Sequence, residues 1–425
     1  MEDTGSRHPV RLVVTDDLAR SRLTVFFRLL LAIPHLLWLG LWSTVAFVIV
    51  VINWFATLFT GRSPRGLHDF LAGFLRYATH VEAYLLLAAN PYPAFFVGSA
   101  SVYPVDLDID PPEPQSRWKT GFRLVLAFPA ALLATVLLGG PLGWRYGSVG
   151  IVFTTAFLAW FSALARGRAP RGLRDLTAWC IGYGAQAGAY LFLLTDRYPY
   201  TGPEQHLAGL ERPEVDERLP GLVNDDDQRR SRLTVLLRLP LAVPHIVWLT
   251  GWSLVGMLAA IANWFSVLAV GRSPRPLARF LAALVRYRAH VSAFLLLVGN
   301  PFPGFVGKAG SYPVDVVLDP FGRQSRWKTL FRLVLAWPAA MVALTLELGL
   351  LFTVAVLGWF VALVQGRMPT GLQRAGAYSI GYSAQLNAYG LLLTDAYPHA
   401  SPQAVFVRRE AAAQPLDSIE PGAFV

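Results

Sequence analysis

From Arg22 to Phe59 the chain runs 38 residues with scarcely a polar interruption, and similar apolar runs follow Arg117, Arg232 and Arg326. As one helix the first run would be about 57 Å long at about 1.5 Å per residue. That is nearly twice a hydrocarbon core of about 30 Å, so the run is expected to break. The second run is interrupted by a polar, turn-rich segment over 139–147, and the matching place in the first lies near Gly40, between Trp38 and Trp42. Insertions are tolerated where chain reaches a surface. This predicts two helices per run, A over about 22–39 and B over about 42–60, folded as a hairpin. The outer turns would fall at Gly40, 139–147, Gly251 and near Glu347.

After each run comes a Gly-Arg-x-Pro turn and a third, more amphipathic helix, C, over about 67–89 in the first copy. Spacings of three and four place Tyr77, His80 and Tyr84 on one face of it. Ahead of the runs the period changes to two. Pro9 to Val14, Pro104 to Ile109 and Pro313 to Leu318 alternate as short strands. Unpaired strands cannot lie in lipid, so these are expected to join in one small extramembrane sheet. The third copy has only Leu219-Pro220-Gly221-Leu222-Val223 at this place, a degraded strand signal.

The pattern is a fourfold repeat, which outranks any local reading. An opening arginine stands at Arg22, Arg117, Arg232 and Arg326, and a second six residues later at Arg28, Arg123, Arg238 and Arg332. The turn glycine recurs at Gly61, Gly167, Gly271 and Gly366, and a tyrosine in helix C at Tyr77, Tyr183, Tyr287 and Tyr382. Copies alternate. One and three share Pro-His, Asn-Trp-Phe and a helix-C histidine; two and four share Arg-Trp-Lys-Thr, a helix-C glutamine and a closing Thr-Asp. A two-repeat module duplicated in tandem explains this. The expected fold is an all-α polytopic membrane protein of four helical repeats in two pseudo-symmetric halves, with short β-strands. The first half covers 1–200 (repeats 9–100 and 103–200), a polar linker 201–230, the second half 231–399 (repeats 231–305 and 312–399), and a disordered tail 400–425.

The Ser-Arg…Phe-Arg-Leu…Pro-His run, the Gly-Arg-x-Pro-x-Gly-Leu turn and the Ala-Tyr-Leu-Leu-Leu…Tyr-Pro ending resemble the bacterial domain-of-unknown-function family 4389 (DUF4389). The resemblance spans nearly all of 9–399 and implies architecture, not an activity. Repeat three departs from it with Pro276 in place of the turn's second glycine.

Composition fixes the class. Hydrophobic residues make up 54%, charged residues 15%, and mean hydropathy is +0.43. Soluble chains carry about 25% charged residues. The net charge of +10 is arginine beside apolar segments, which sets topology and meets lipid headgroups rather than nucleic acid. All but three of the 37 basic residues are arginine; with the abundant alanine and glycine this suggests a GC-rich bacterial genome. Cys180 stands alone, so no disulfide forms within the chain. The polar start, Met1 to Asp17, has no signal-peptide core. The expected location is a bacterial inner (plasma) membrane, multi-pass, with eight crossings. The N-terminus and arginine turns would be cytoplasmic, and helix C would lie at the interface or pack shallowly; a competing arrangement with the same number of crossings lays helix A in the interface while B and C cross.

Charged groups at mid-bilayer cost roughly 2.5–3.5 kcal/mol on insertion scales. The recurrent arginines are therefore expected near the interface as contacts to anionic lipid headgroups: Arg22, Arg28, Arg62, Arg117, Arg123, Arg168, Arg232, Arg238, Arg272, Arg326, Arg332 and Arg367. No acid recurs in register with Asp69 or Asp175, which disfavours an obligate ion pair and leaves lipid phosphate or helix-end carbonyls as partners. A second set is polar within the apolar regions: His35, Tyr77, His80, Glu82, Tyr183, Gln186, His245, Tyr287, His290, Glu347, Tyr382 and Gln385. The histidines lack metal-ligand spacing and change to alanine or glutamine in the even repeats, so they read as polar packing residues. Neither a phosphate loop, a nucleophile elbow nor a dinucleotide fingerprint occurs. No cofactor or metal is expected. The reading is a non-enzymatic scaffold or lipid-interacting component, with a transporter or channel of duplicated halves as the alternative.

Overall fold

Each apolar run breaks at its sixth residue, and in repeats one and three it breaks nowhere near its middle. In the computed structural model, which describes residues 8–95, 103–139 and 150–407, a five-residue helix α1 (Arg22–Phe26) ends at Phe27. A continuous α2 (Arg28–Thr60) of 33 residues follows. The hairpin expected over 22–39 and 42–60 is thus replaced by one rod of about 50 Å. Pro34 sits within the second turn, and a side chain at Gly40 would touch nothing. The buried positions of α2, Arg28, Ala32, His35, Ala46, Asn53 and Thr57, form a single stripe at helical spacing. That stripe packs on α3 (Arg65–Leu85), and an unbroken stripe needs an unbroken helix.

The first half continues with strand β2 (Val105–Ile109), which pairs antiparallel with β1 (Val10–Val14), then α4 (Arg117–Gly121), α5 (Arg123–Leu138), α6 (Ile151–Arg166), α7 (Arg171–Leu191) and the short α8 (Pro203–His206). The second half repeats the order: β3 (Gly221–Asn224), α9 (Arg232–Leu236), α10 (Arg238–Val270), α11 (Arg275–Leu295), β4 (Val314–Val317), α12 (Arg326–Leu330) and α13 (Arg332–Thr345). A π-helical turn (Leu346–Leu351), α14 (Phe352–Gln365) and α15 (Thr370–Gly390) close it. The chain divides into two compact halves, Met1–Pro213 and Glu214–Val425.

Four further expectations are corrected. Among the described residues the strands form two two-stranded sheets, one in each half, not a single sheet. The degraded segment at 221–224 does form a strand, because its backbone finds partners in β4 and in Phe406. Residues 400–407 are packed rather than disordered: Val405 is fully buried and Pro402–Ala404 forms a 3₁₀ turn. Helix C is the core of each half, not a shallow element. Sixteen of the 21 residues of α7 are buried, and α3 and α7 pack on each other with the sheet lying across them. Most of the 139–147 insertion lies outside the described residues.

Small differences in length explain the differences between repeats. The turn glycine follows the second arginine by 33 residues in repeats one and three, 34 in repeat four and 44 in repeat two. The one extra residue of repeat four is taken up as the π turn. The eleven extra residues of repeat two fall between α5 and α6. Gly139 and Gly150 abut so closely that a Cβ on Gly150 would lie 2.1 Å from the Gly139 nitrogen, and α5 and α6 together occupy the place of α2. The insertion falls between two segments that together stand where one helix runs in repeat one, so it does not mark the tip of a hairpin.

Within each half the repeats interlock head to tail. The Trp54 indole at the end of α2 donates to Thr120 O in α4 (2.8 Å), and Trp160 at the end of α6 donates to Val25 O in α1 (3.2 Å). Trp264 and Trp359 do the same to Thr329 O and Val235 O. Gln115 N bonds Gly61 O and Arg20 N bonds Gly167 O, each at 2.8 Å. The start of each long helix therefore lies at the end of its neighbour, so consecutive repeats run in opposite directions along that axis. The common orientation expected from the sequence is overturned.

Candidate functional site

Helix C ends the same way four times, in a leucine with left-handed backbone: Leu87, Leu193, Leu297 and Leu392, with φ between 62° and 64°. A helix end leaves carbonyls without partners, and the macrodipole makes that end negative. The second arginine of each repeat answers this. Arg28 donates to Tyr84 O and Ala89 O (2.9 Å), and Arg238 to Phe294 O (2.6 Å) and Gly299 O. Arg123 and Arg332 reach Thr195 O (3.4 Å) and Thr394 O (3.2 Å). Each guanidinium also lies 4.1–4.4 Å over the ring of Tyr84, Tyr190, Phe294 or Tyr389. All four are at most 2% exposed. They are helix-end clamps and cannot touch headgroups, a correction to the lipid contact expected for Arg28, Arg123, Arg238 and Arg332. Helix-end carbonyls, the other partner anticipated, are what they bind.

A second clamp position stands two residues before the opening arginine. Arg20 and Arg230 donate to Leu87 O and Leu297 O, both 2.9 Å, and Gln115 and Gln324 donate to Leu193 O and Leu392 O. Countercharge moves with the residue type. In odd repeats Asp16 and Asp226 pair with Arg20 and Arg230 at 2.7 Å. In even repeats Asp196 and Asp395 face Arg123 (3.4 Å) and Arg332 (2.7 Å). The sequence reading missed these pairs. The Thr-Asp signature of even repeats is plain in the sequence, but its arginine partner is 73 residues away in repeat two and 63 in repeat four.

The eight other recurrent arginines, Arg22, Arg62, Arg117, Arg168, Arg232, Arg272, Arg326 and Arg367, are exposed at the ends of the long helices. Beside them stand exposed apolar side chains, among them Leu23, Phe26, Trp118, Leu233 and Trp327.

The polar set is brought together in pairs, not in one site. His35 Nδ1 meets Tyr77 Oη at 2.8 Å, and His245 meets Tyr287 at 2.7 Å, joining long helix to helix C. His80 and His290 reach across to Asp106 and Asp315 of the strands, each at 2.7 Å. Burial would raise the Asp315 carboxyl, but bonds from His290 and two backbone amides hold it below its usual range. Gln186 and Gln385 donate to Val10 O and Pro220 O at 3.0 Å. Tyr183 donates weakly to Ala130 O (3.4 Å), and Tyr382 is buried beside Tyr378. The Glu82 side chain, half-buried on α3, makes no hydrogen bond or ion pair among the described residues.

Glu347 lies in the π turn and lines a small, partly open cleft within the second half. Arg288 and Ser292 of α11 and Ser383 and Asn387 of α15 line it too. Among the described residues no group of three potential ligands gathers for a metal ion.

The profile of a domain-of-unknown-function family, DUF4389, matches residues 22–97, 117–201, 232–306 and 326–401. No curated protein and no solved structure was found to match.

Proposed function

We propose that this chain, which belongs to the DUF4389 family through all four of its repeats, is a membrane-embedded scaffold that engages lipid and carries out no catalysis. One observation carries the reading. α2, α10 and the α13–α14 rod are long and apolar enough to span a membrane, yet only 11% of the most apolar stretch of α2 and 17% of that of α10 is buried within the protein. A water-soluble protein rarely exposes an apolar patch beyond a few hundred Å². Acyl chains are the cover that such faces fit, with headgroups at the eight exposed arginines.

The sheet bears on how the helices lie. Ala46, midway along α2, shares a core cluster with Val10 and Leu107 of the strands. An upright α2 would carry the Arg11–Asp108–Asp110 group of that sheet to mid-bilayer, at roughly 2.5–3.5 kcal/mol for each charge. Oblique or interfacial helices avoid this cost, so we favour them over eight upright crossings. The test is alkaline carbonate extraction of membranes containing the full chain. Retention in the pellet supports insertion; release into the supernatant rejects it.

The cleft beside Glu347 favours a second reading, a transporter or channel with a polar path through the second half. Solute flux into vesicles that is abolished by Glu347→Gln would support it, and identical flux from the variant would reject it.

A further inference from the structure

We infer that the cleft between α11, α15 and the π turn binds a small zwitterion, a group carrying an ammonium close to a phosphate or carboxylate. Five polar side chains meet there, and their charges are left open. Arg288 and Glu347 line the same cleft, yet no carboxylate lies within 4.0 Å of Arg288 and no cation within 4.0 Å of Glu347 among the described residues. Ser383 is only 8% exposed and its hydroxyl has no hydrogen-bond partner. A hydroxyl taken from water without a partner is costly, so something polar is expected against it. Asn387 spends its Nδ2 on Ser383 O at 2.7 Å, which turns its Oδ1 into a free acceptor.

These groups divide by chemistry. Glu347 and Asn387 Oδ1 accept, and suit an ammonium; Arg288 and the Ser383 hydroxyl donate, and suit an anion. A simple anion would leave Glu347 unanswered, and a simple cation would leave Arg288. Only a ligand bearing both charges satisfies the set. The π turn is what builds the site, because the residue added to repeat four is absorbed in the very turn that holds Glu347. The first half offers a contrast. Its equivalents of Arg288, Ser383 and Asn387 are Ala78, Gly184 and Gly188, so it has no anion-binding half.

Such a zwitterion comes either as the headgroup of an ethanolamine phospholipid or as a free solute, and both share the chemistry inferred here. The inference stands apart from membrane insertion, which carbonate extraction tests by itself. The full chain in detergent is titrated with phosphatidylethanolamine, with phosphatidylglycerol of the same acyl chains, with O-phosphoethanolamine and with inorganic phosphate, binding being read by native mass spectrometry. Preference for phosphatidylethanolamine over phosphatidylglycerol assigns the lipid source. Preference for O-phosphoethanolamine over phosphate, without lipid discrimination, assigns the free solute. Glu347→Gln is expected to weaken the preferred ligand about tenfold, the worth of one charge-assisted hydrogen bond. Arg288→Gln, at an exposed position that folding does not need, is expected to do likewise. Equal binding of amine-bearing and amine-free probes by the unmodified chain, or unchanged affinity in both variants, overturns the inference.

Discussion

Arg332 donates to Asp395 Oδ1 at 2.7 Å with both side chains buried, across 63 residues of sequence. The arginine also caps the end of α15, so the acid neutralises a charge that the helix end needs. Odd repeats show how far the acid can be dispensed with, since asparagine stands at its position: Asn90, 3.3 Å from Arg28, in repeat one and Asn300 in repeat three. Asp395→Ala strands a buried charge and is expected to cost about 3–5 kcal/mol. Asp395→Asn, copying repeat three, should cost less than half of that. Thermal unfolding of the two variants in one detergent checks the order.

The π turn predicts an unusual tolerance. Deleting Leu348 should give repeat four the 33-residue spacing of repeats one and three and turn the segment into ordinary α-helix. Trp359 should still reach Val235 O, and the unfolding temperature should hold or rise. Deleting Leu254 from α10 removes a residue that no bulge absorbs. It rotates everything beyond by about 100°, carries Asn263 and Trp264 off the packed stripe, and should leave the chain unable to fold. Circular dichroism and size-exclusion profiles distinguish the two.

A pH dependence follows from His206, which bonds Tyr200 O at 2.7 Å and is buried under Gly182. Burial lowers its pKa from 6.5 to about 4, and His8 is lowered similarly. Both stay neutral in the fold while the unfolded chain takes up protons below about pH 6.5, so stability is present above that pH and lost as pH falls toward 4. The loss from His206 is of order 3 kcal/mol. Unfolding temperature should drop across this window, and His206→Gln should flatten the slope while lowering the value at neutral pH.

Gly381 marks where the chain beyond helix C docks. A Cβ there would lie 2.2 Å from Val405 Cγ1 and 3.2 Å from Leu222 Cβ. Gly381→Ala is expected to cost about 1–3 kcal/mol by overpacking and to loosen the 400–407 segment. Limited proteolysis near Val405 should quicken while the helices stay intact.

Much of this was legible in the sequence. The fourfold arginine, glycine and tyrosine register, the alternation of repeats and three of the four strands follow from spacing alone; which strand pairs with which does not. The long helix did not, because the 139–147 insertion looks identical whether it tips a hairpin or leaves the side of a rod. Only the stripe from Arg28 to Thr57 separates those cases. The buried clamps were hidden for another reason. A backbone carbonyl has no residue-type signature, so an arginine facing Leu87 O looks in sequence like one facing phosphate. The extra residue beside Glu347 was countable, but its meaning needed the other three repeats as rulers.

The crossed contacts of Trp54 with α4 and Trp160 with α1 bear on ancestry as well as on folding. Each repeat supplies what its neighbour lacks, so a single copy is an unfinished object and the pair is the least that can stand by itself. A chain encoding one copy would have to borrow the missing contacts from a second molecule, and residues 8–213 should hold together where residues 8–103 alone should not. Gene fusion would then have turned a dimer's borrowed surface into a permanent one, twice over in this chain.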